Sequence, residues 1–194
     1  MGRRPSTGKI NPSQILIYTE GETEKIYLEC LKNILLPRDR KSIKIKKLGK
    51  QGLSLFDSVN NILKNNNSQV SPVEVYIVVD KDDTKIEDLI KLRKKCLDKE
   101  FKLIFSNECF ELWLLFHFEK VTSYMSRSDL IKRLTKWIEK DFKKTDIKVL
   151  SKIAGLYTVA IENASGIDCL NDDNLCKNPY TNVKELIFDV FVWE

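Results

Sequence analysis

Acidic side chains follow two apolar segments of this sequence, at the point where each segment ends. Glu20 comes directly after the run Ile15–Thr19, and Asp80 and Asp82 come directly after the run Val73–Val79. Carboxylate oxygens are hard ligands. A site built from them, without a nearby histidine or thiolate, suits Mg²⁺ or Mn²⁺ rather than zinc. A bound Mg²⁺ keeps several waters, so it can hold phosphate oxygens and activate a water. The residue types therefore predict a divalent-metal site.

The second of these aspartates also has a structural alternative, which it shares with Asp83 and Thr84. Asp80 and Asp82 are expected to point the same way, because side chains alternate in an extended segment. Asp82 or the neighbouring Asp83 could instead cap the helix predicted to follow, where the helix dipole favours a carboxylate. We assign the cap to Asp83, with a supporting position near the metal as its other role, and we assign the metal to Asp80 and Asp82.

Three glutamates are further candidates for the same site. Glu20 alone would be weak evidence, but Gly21 beside it and the downstream Asp-x-Asp strengthen its assignment as a metal ligand or as a general base towards water. Glu24 lies about one helical turn later and either supports the site or simply favours a helix's first turn. Glu111 lies in an otherwise apolar stretch, and a buried glutamate needs a partner or a cation. Its alternatives are a catalytic role, with a second metal or a ligand, and a salt bridge to a lysine.

Several polar residues are expected near the same edge. Ser106 and Asn107 follow the fourth predicted strand and could contact phosphate or cap the next helix. Lys50, in the loop Gly49–Gly52, and Lys81 are candidates for contacting phosphate. The loop lacks the pattern of a phosphate-binding P-loop, so a simple turn is the alternative for it.

The acids can meet only if the elements that carry them form one sheet. Apolar runs predict four strands, at Ile15–Thr19, Ser42–Leu48, Val73–Val79 and Lys102–Phe105. Helical spacing predicts intervening helices at Glu22–Leu36, Leu53–Lys64, Lys85–Lys99 and Cys109–Phe118. Strands that alternate with helices predict an α/β fold with a doubly wound, mostly parallel sheet of about four strands. In such sheets ligands lie outside the carboxyl ends of the strands.

Three regions are expected along the chain. Residues 1–13 are predicted to be a flexible basic arm, residues 14–120 the α/β core, and residues 121–194 a helical part of the same domain. In this last part a helix start is predicted at Ser126 with Asp129, a helix weakened by Gly155 over Val149–Asn163, and a final helix capped by Thr181 and running to Trp193.

Composition narrows the chemistry. The 194 residues carry a net charge of +5, which permits a polyanionic substrate, and Arg3, Arg4 and the many lysines could steer it. His117 is the single histidine, which excludes sites built from two histidines, and its apolar surroundings favour a packing role. Five cysteines without CxxC spacing argue against structural zinc and predict a reducing, cytoplasmic location. No apolar run approaches the ~20 residues that span a bilayer.

The motifs also resemble known families. Glu20-Gly21 after the first strand and Asp-x-Asp after the third resemble the Toprim domain of topoisomerases, bacterial primases and OLD-family nucleases. More of the chain resembles the RloB family of bacterial restriction and abortive-infection loci. The stretches that carry this resemblance are Glu20–Glu24, Val79–Asp83, Ser106–Trp113 and Asn178–Val183. The chain departs from the family at Glu108, where proline is usual, and at Tyr180, which replaces a small residue.

The resemblance implies a Toprim-like fold and a specific activity. It implies that Glu20, Asp80 and Asp82 bind Mg²⁺ for phosphodiester chemistry, in an anti-phage system that often includes an ABC-type ATPase partner. We therefore expect a Mg²⁺- or Mn²⁺-dependent nuclease that acts on RNA or DNA. The alternative is a non-catalytic Toprim-like subunit that binds a nucleotide or nucleic acid and regulates such a system.

Overall fold

A computed structural model describes residues 14–38, 41–65, 73–139 and 141–192 of the chain. The strands are β1 (Gln14–Thr19), β2 (Leu36–Pro37), β3 (Ser42–Lys47), β4 (Val73–Asp80), β5 (Lys102–Asn107), β6 (Tyr180–Thr181) and β7 (Phe191–Val192). The helices are α1 (Glu22–Ile34), α2 (Gly52–Asn65), α3 (Ile86–Asp98), α4 (Glu111–Phe116), α5 (Arg127–Ile138), α6 (Ile147–Ala154), α7 (Tyr157–Asn163) and α8 (Val183–Val190). The predicted arm 1–13 lies outside the described residues.

The main sheet has five strands in the order β3-β1-β4-β5-β6. The first four are parallel, and β6 runs antiparallel to β5. A separate ribbon pairs β2 with β7. The predicted mostly parallel α/β sheet is confirmed, with one strand more than expected. Two-residue strands such as β6 and β7 are too short to produce a periodic pattern in the sequence.

The central strands β1 and β4 are buried on both faces, which explains why they are almost wholly apolar. In β1, Ile15 and Ile17 belong to one core layer, with α1, α4 and the C-terminal helices. Leu16 and Tyr18 alternate to the other face and belong to a second layer with α2 and α3. The C-terminal helices thus pack on the same sheet, as predicted.

Two C-terminal helices start where side chains cap them. Ser126 Oγ accepts a hydrogen bond from Asp129 N at 3.2 Å at the start of α5, which confirms the predicted start. Asp146 Oδ1 accepts one from Val149 N at 3.2 Å at the start of α6. The single helix predicted over Val149–Asn163 is wrong, since α6 ends before Gly155 and α7 begins at Tyr157. Glycine inside a helix costs about 1 kcal/mol, which favours a break here.

The end of the chain also differs from the prediction. Helix α8 ends at Val190, because Phe191 turns to the extended conformation and forms β7. Asn182 occupies the capping position of α8, while Thr181 lies in β6 and accepts a 3.4 Å hydrogen bond from Val183 N. Trp193 lies outside the described residues. None of the helices in the described ranges is long and apolar enough to cross a membrane.

Candidate metal-binding site

The carboxyl ends of β1 and β4 open onto a cavity of about 740 Å³. Because the two strands are parallel neighbours, Glu20 and Asp80 reach the same edge of the sheet. Six acidic residues line the cavity, Glu20, Glu22, Glu24, Asp80, Asp82 and Glu111. Only three basic residues accompany them, Lys50, Arg127 and Lys144. The excess of carboxylates makes the cavity a place where a cation would be stabilised.

Glu20 connects three elements of the fold. Its Oε1 accepts a hydrogen bond from Gly52 N at 2.6 Å, at the start of α2, and its Oε2 accepts one from Asp80 N at 3.3 Å. Burial raises the pKa of Glu20 to about 7, against the effect of these two N–H groups, and the charge of Glu24 adds to the rise. Each oxygen keeps a further lone pair. Glu20 therefore has a structural role that the sequence did not predict, and it faces the cavity as predicted.

Among the acids of the cavity, Glu24 and Asp80 each keep a buried carboxylate oxygen with neither a hydrogen-bond nor an ion-pair partner in the described chain. Glu24 is only 5% exposed, and within the described chain neither its Oε2 nor Asp80 Oδ1 has such a partner. Burial raises the pKa of Glu24, and nearby Glu111 raises it further. Burial also raises the pKa of Asp80 well above its ordinary value, and Glu24, Glu111 and Glu20 add to this while Arg127 opposes it. Buried acids in this state are costly unless a proton or a cation neutralises them.

Gly21 makes room for the carboxylate of Glu24. A Cβ atom at Gly21 would stand 2.5 Å from Glu24 Oε2 and 3.1 Å from Oε1. The backbone of Gly21 has φ −105°, which any residue adopts, so the requirement for glycine is one of space. The glycine at position 21 is thus explained by Glu24, three residues later, rather than by Glu20.

Asp82 reaches the cavity by a different route from the one predicted. Strand β4 ends at Asp80, and Asp82 has φ +42° in a turn, so the alternation argument fails for it. Its carboxylate forms an ion pair with Arg127. The predicted cap by Asp83 is also wrong, because Lys85 occupies the capping position of α3 without a side-chain hydrogen bond. Asp83 is exposed and does not line the cavity.

Glu111 is the first residue of α4, and its side chain is 2% exposed. Its Oε1 lies 2.6 Å from the Nζ of Lys144, from the segment between α5 and α6. Burial acts to lower the pKa of Lys144, but the hydrogen bond and the charge of Glu111 outweigh it and raise that pKa. The predicted position at the cavity and the alternative salt bridge with a lysine are therefore both observed.

The remaining candidates divide between the cavity and its surroundings. Lys50 lines the cavity and is exposed. Lys81 does not line it, and its Nζ donates to the carbonyl oxygen of Asp82 at 3.3 Å. Ser106 and Asn107 lie in β5 rather than in a loop, and neither lines the cavity. The Ser106 Oγ is 2.9 Å from the Oγ1 of Thr181, which joins β5 to β6, and Asn107 Nδ2 donates to the carbonyl oxygen of Lys177, in the segment before β6.

A buried polar contact holds α1 against α4 near the cavity. The hydroxyl of Tyr27, one turn after Glu24, lies 2.9 Å from His117 Nε2, and His117 Nδ1 lies 3.0 Å from the carbonyl oxygen of Trp113. Since a carbonyl only accepts, Nδ1 carries the proton and Nε2 accepts from Tyr27. Burial lowers the pKa of His117 to about 4, so the ring is neutral near pH 7. The predicted packing role of His117 is confirmed.

Arg127 and Lys144 are the cavity residues that sequence reasoning missed. Both lie in the C-terminal part, far along the chain from the acids that they contact. No local spacing marks either residue, because the contacts depend on how α5 and α6 pack against the sheet. The one signal in the sequence was that a buried Glu111 needs a partner.

The donor chemistry fits a hard divalent cation. The acids supply only oxygen ligands, and one buried oxygen each of Glu24 and Asp80 has neither a hydrogen-bond nor an ion-pair partner among the described residues. Asp80 and Glu24 are the residues that would hold Mg²⁺ or Mn²⁺, with Glu20 beside them and Asp82 and Glu111 at the margins. Across residues 14–38, 41–65, 73–139 and 141–192, no three such side chains already form a metal-binding arrangement. Asp82 and Glu111 are instead paired with Arg127 and Lys144.

Comparison with known proteins identifies the family. No curated protein and no solved structure matches the chain. A family model described as "RloB-like protein" matches residues 15–190 of the 194-residue chain. From Ile15 onward the match covers the five strands of the main sheet and the helices α1 to α8. The architecture of this sheet is consistent with a Toprim-like α/β fold. The chain therefore belongs to the RloB-like protein family.

Proposed function

We propose that the protein is a Mg²⁺-dependent nuclease that hydrolyses phosphodiester bonds of RNA or DNA. The observation that carries this proposal is the pair of buried carboxylate oxygens without hydrogen-bond partners, on Glu24 and Asp80, at the carboxyl edge of the parallel sheet. Such oxygens are strongly favoured to bind a cation. The same edge is where open α/β sheets bind their ligands.

The roles of the acids follow from their surroundings. Asp80 and Glu24 hold the ion, and Asp82 and Glu111 complete or adjust the site. When bound, Mg²⁺ stabilises charge on phosphate oxygens and favours ionisation of a bound water. Glu20, with a pKa of about 7 and an orientation fixed by two backbone N–H groups, is suited to accept a proton from an attacking water near neutral pH.

Basic residues supply the attraction for a polyanion. Lys50 is exposed at the cavity, and the whole chain has a net charge of +5. Contacts between lysines and phosphates are sequence-independent and weaken as salt increases. This arrangement supports binding of a nucleic acid through its phosphate groups.

Membership of the RloB-like family extends the proposal to a biological setting. The resemblance of the chain to this family implies a restriction or abortive-infection locus, often with an ABC-type ATPase encoded beside it. We propose that this chain acts in anti-phage defence in the cytoplasm, together with such an ATPase.

A cleavage assay tests the reaction. We expect purified protein to cleave at least one of tRNA, single-stranded DNA and plasmid DNA with Mg²⁺ or Mn²⁺, and EDTA to abolish cleavage. Asp80→Asn and Glu24→Gln should each reduce the rate by at least about a hundredfold, since they weaken binding of the metal ion that stabilises charge on the phosphate in the transition state. Glu29→Gln, on the exposed side of α1, is the matched control and should cleave like wild type.

Two outcomes would contradict the nuclease proposal. Cleavage that persists in EDTA or in Asp80→Asn would show that another site, or a contaminant, is responsible. Absence of cleavage even with the ATPase partner and ATP would favour the alternative of a non-catalytic subunit that binds a nucleotide or nucleic acid. The observation that favours this alternative is that two of the cavity's acids are already neutralised by Arg127 and Lys144.

A further inference from the structure

Two basic side chains cover the acids at the margins of the cavity. The Lys144 side chain is 47% exposed, whereas that of its partner Glu111 is 2% exposed. The Arg127 side chain is 41% exposed, and that of its partner Asp82 is 21% exposed. In both ion pairs the acid lies inside and the cation lies on the solvent side.

The two cations and the two acids belong to different parts of the chain. Asp82 and Glu111 come from the turn after β4 and the start of α4, whereas Arg127 begins α5 and Lys144 precedes α6. The backbone beside each cation is held by the helix caps at Ser126 and Asp146. The caps fix the backbone but not the long side chains of Arg127 and Lys144. These side chains can therefore rotate and change their ion-pair partner.

The two ion pairs leave Glu24 and Asp80 without a basic partner in direct contact among the described residues. Glu24 and Asp80 have oxygens without hydrogen-bond partners in the described chain, although Arg127 and Lys144 also line the cavity. The two cations therefore form ion pairs with Asp82 and Glu111 and not with Glu24 or Asp80, although their charges also act on the last two acids. A divalent ion bound by Glu24 and Asp80 would add positive charge close to Lys144 and Arg127. Repulsion between the ion and these two side chains would weaken both ion pairs.

From these contacts, and resting on the proposed metal-dependent function, we propose that Lys144 and Arg127 are exchangeable counter-ions of the site. In the metal-free protein they hold Glu111 and Asp82 and compete with a divalent cation for these acids. In the metal-loaded protein they leave the acids and contact phosphate groups of the nucleic acid. Their half-exposed position at the cavity is where an incoming polyanion first meets positive charge.

The alternative is that each pair is a permanent support for its acid, and the two models predict opposite effects of removing a cation. If Lys144 competes with metal, Lys144→Met leaves Glu111 buried and unpaired, so Mn²⁺ should bind more tightly. If Lys144 only supports Glu111, its removal should leave Mn²⁺ affinity unchanged or weaker.

The test measures two equilibria on the full chain. Titration calorimetry with Mn²⁺ alone should give a dissociation constant about fivefold lower for Lys144→Met than for wild type, the scale of one partly exposed ion pair. Fluorescence anisotropy with labelled single-stranded RNA and DNA in Ca²⁺ should show affinity about threefold weaker or more for the variant. The slope of log affinity against log salt should also be shallower by about one.

Matched variants separate the outcomes. Lys148→Met, an exposed residue outside the cavity, should change neither equilibrium, and Lys144→Arg should stay close to wild type. If Lys144→Met does not fold by circular dichroism, Arg127→Met provides the same comparison, since its acid Asp82 is less buried. Unchanged or weaker Mn²⁺ binding, or unchanged oligonucleotide binding, in the folded variant would overturn the exchange while leaving the nuclease proposal intact. Failure of wild type to bind Mn²⁺ would overturn both.

Discussion

Two glutamates one helical turn apart serve different purposes at the edge of the sheet. Glu20 uses both carboxylate oxygens to accept backbone N–H groups from α2 and β4, so it fixes the shape of the cavity. Glu24 has a buried oxygen without a partner, so it is better placed to bind a ligand. Sequence reasoning ranked these residues in the opposite order, because it placed Glu20 at a strand end but could not show which N–H groups its oxygens accept.

Gly21 allows a direct test of the role of Glu24. Because a Cβ would stand 2.5 Å from the Glu24 carboxylate, Gly21→Ala must displace that carboxylate while keeping its charge. We expect Mn²⁺ affinity, measured by calorimetry, to fall by about tenfold, the scale of an overpacking error. Gly155→Ala, at the exposed end of α6, is the control and should bind Mn²⁺ like wild type. Wild-type affinity in Gly21→Ala would show that Glu24 is not a ligand.

At the scale of elements, the sequence predicted what is periodic and missed what is not. Strand β4 is a continuous apolar run buried on both faces, so its existence and nearly its exact length were evident. Strands β6 and β7 have two residues each and lie on either side of α8. They form where the chain before and after this helix meets β5 and β2. The turn at Asp82 was missed for a similar reason, since a left-handed φ at a non-glycine residue is set by its surroundings.

The contact between α1 and α4 gives a pH-dependent stability. His117 has a folded pKa of about 4 and an unfolded pKa of about 6.5, so between these values the unfolded chain binds a proton that the folded chain does not. Stability from this residue is full above pH 6.5 and is lost as pH falls towards 4. We expect a loss of about 2 kcal/mol between pH 7.5 and pH 5.

His117→Gln isolates this effect from that of the acids. Glu20, Glu24 and Asp80 have raised pKa values, so protonating them as pH falls acts in the opposite direction. The difference in unfolding free energy between wild type and His117→Gln, from urea titrations at both pH values, cancels their contribution. A difference that is the same at pH 7.5 and pH 5 would show that the ring takes up a proton as readily in the folded protein as in the unfolded chain.

At the scale of the whole molecule, the cavity is assembled from both parts of the chain. The sequence indicated four acids of the cavity, because each follows an apolar strand. They are Glu20, Asp80, Asp82 and Glu111. It could not indicate Arg127 or Lys144, whose positions depend on the packing of α5 and α6 against α4 and α1. The charges that set the properties of the site are thus partly a consequence of tertiary structure.

This assembly makes folding and metal binding one linked equilibrium. A cation that binds only the folded chain stabilises it by RT ln(1 + [L]/Kd), about 2.7 kcal/mol at a hundred times the dissociation constant. Carboxylates must lose their protons to bind metal, and burial raises the pKa values of Glu24 and Asp80, the two acids that hold the ion. The rise in melting temperature caused by Mn²⁺, relative to EDTA, should therefore be larger at pH 8 than at pH 6.

Asp80→Asn provides the decisive comparison for this linkage. The variant removes the charge of the acid at the centre of the cluster but keeps the size of its side chain, so the Mn²⁺-dependent rise should disappear at both pH values. Its melting temperature in EDTA should be at least that of wild type, because a neutral amide avoids the repulsion from Glu20, Glu24 and Glu111. A variant that is less stable in EDTA, yet still responds to Mn²⁺, would mean that Asp80 serves the fold and the metal binds elsewhere.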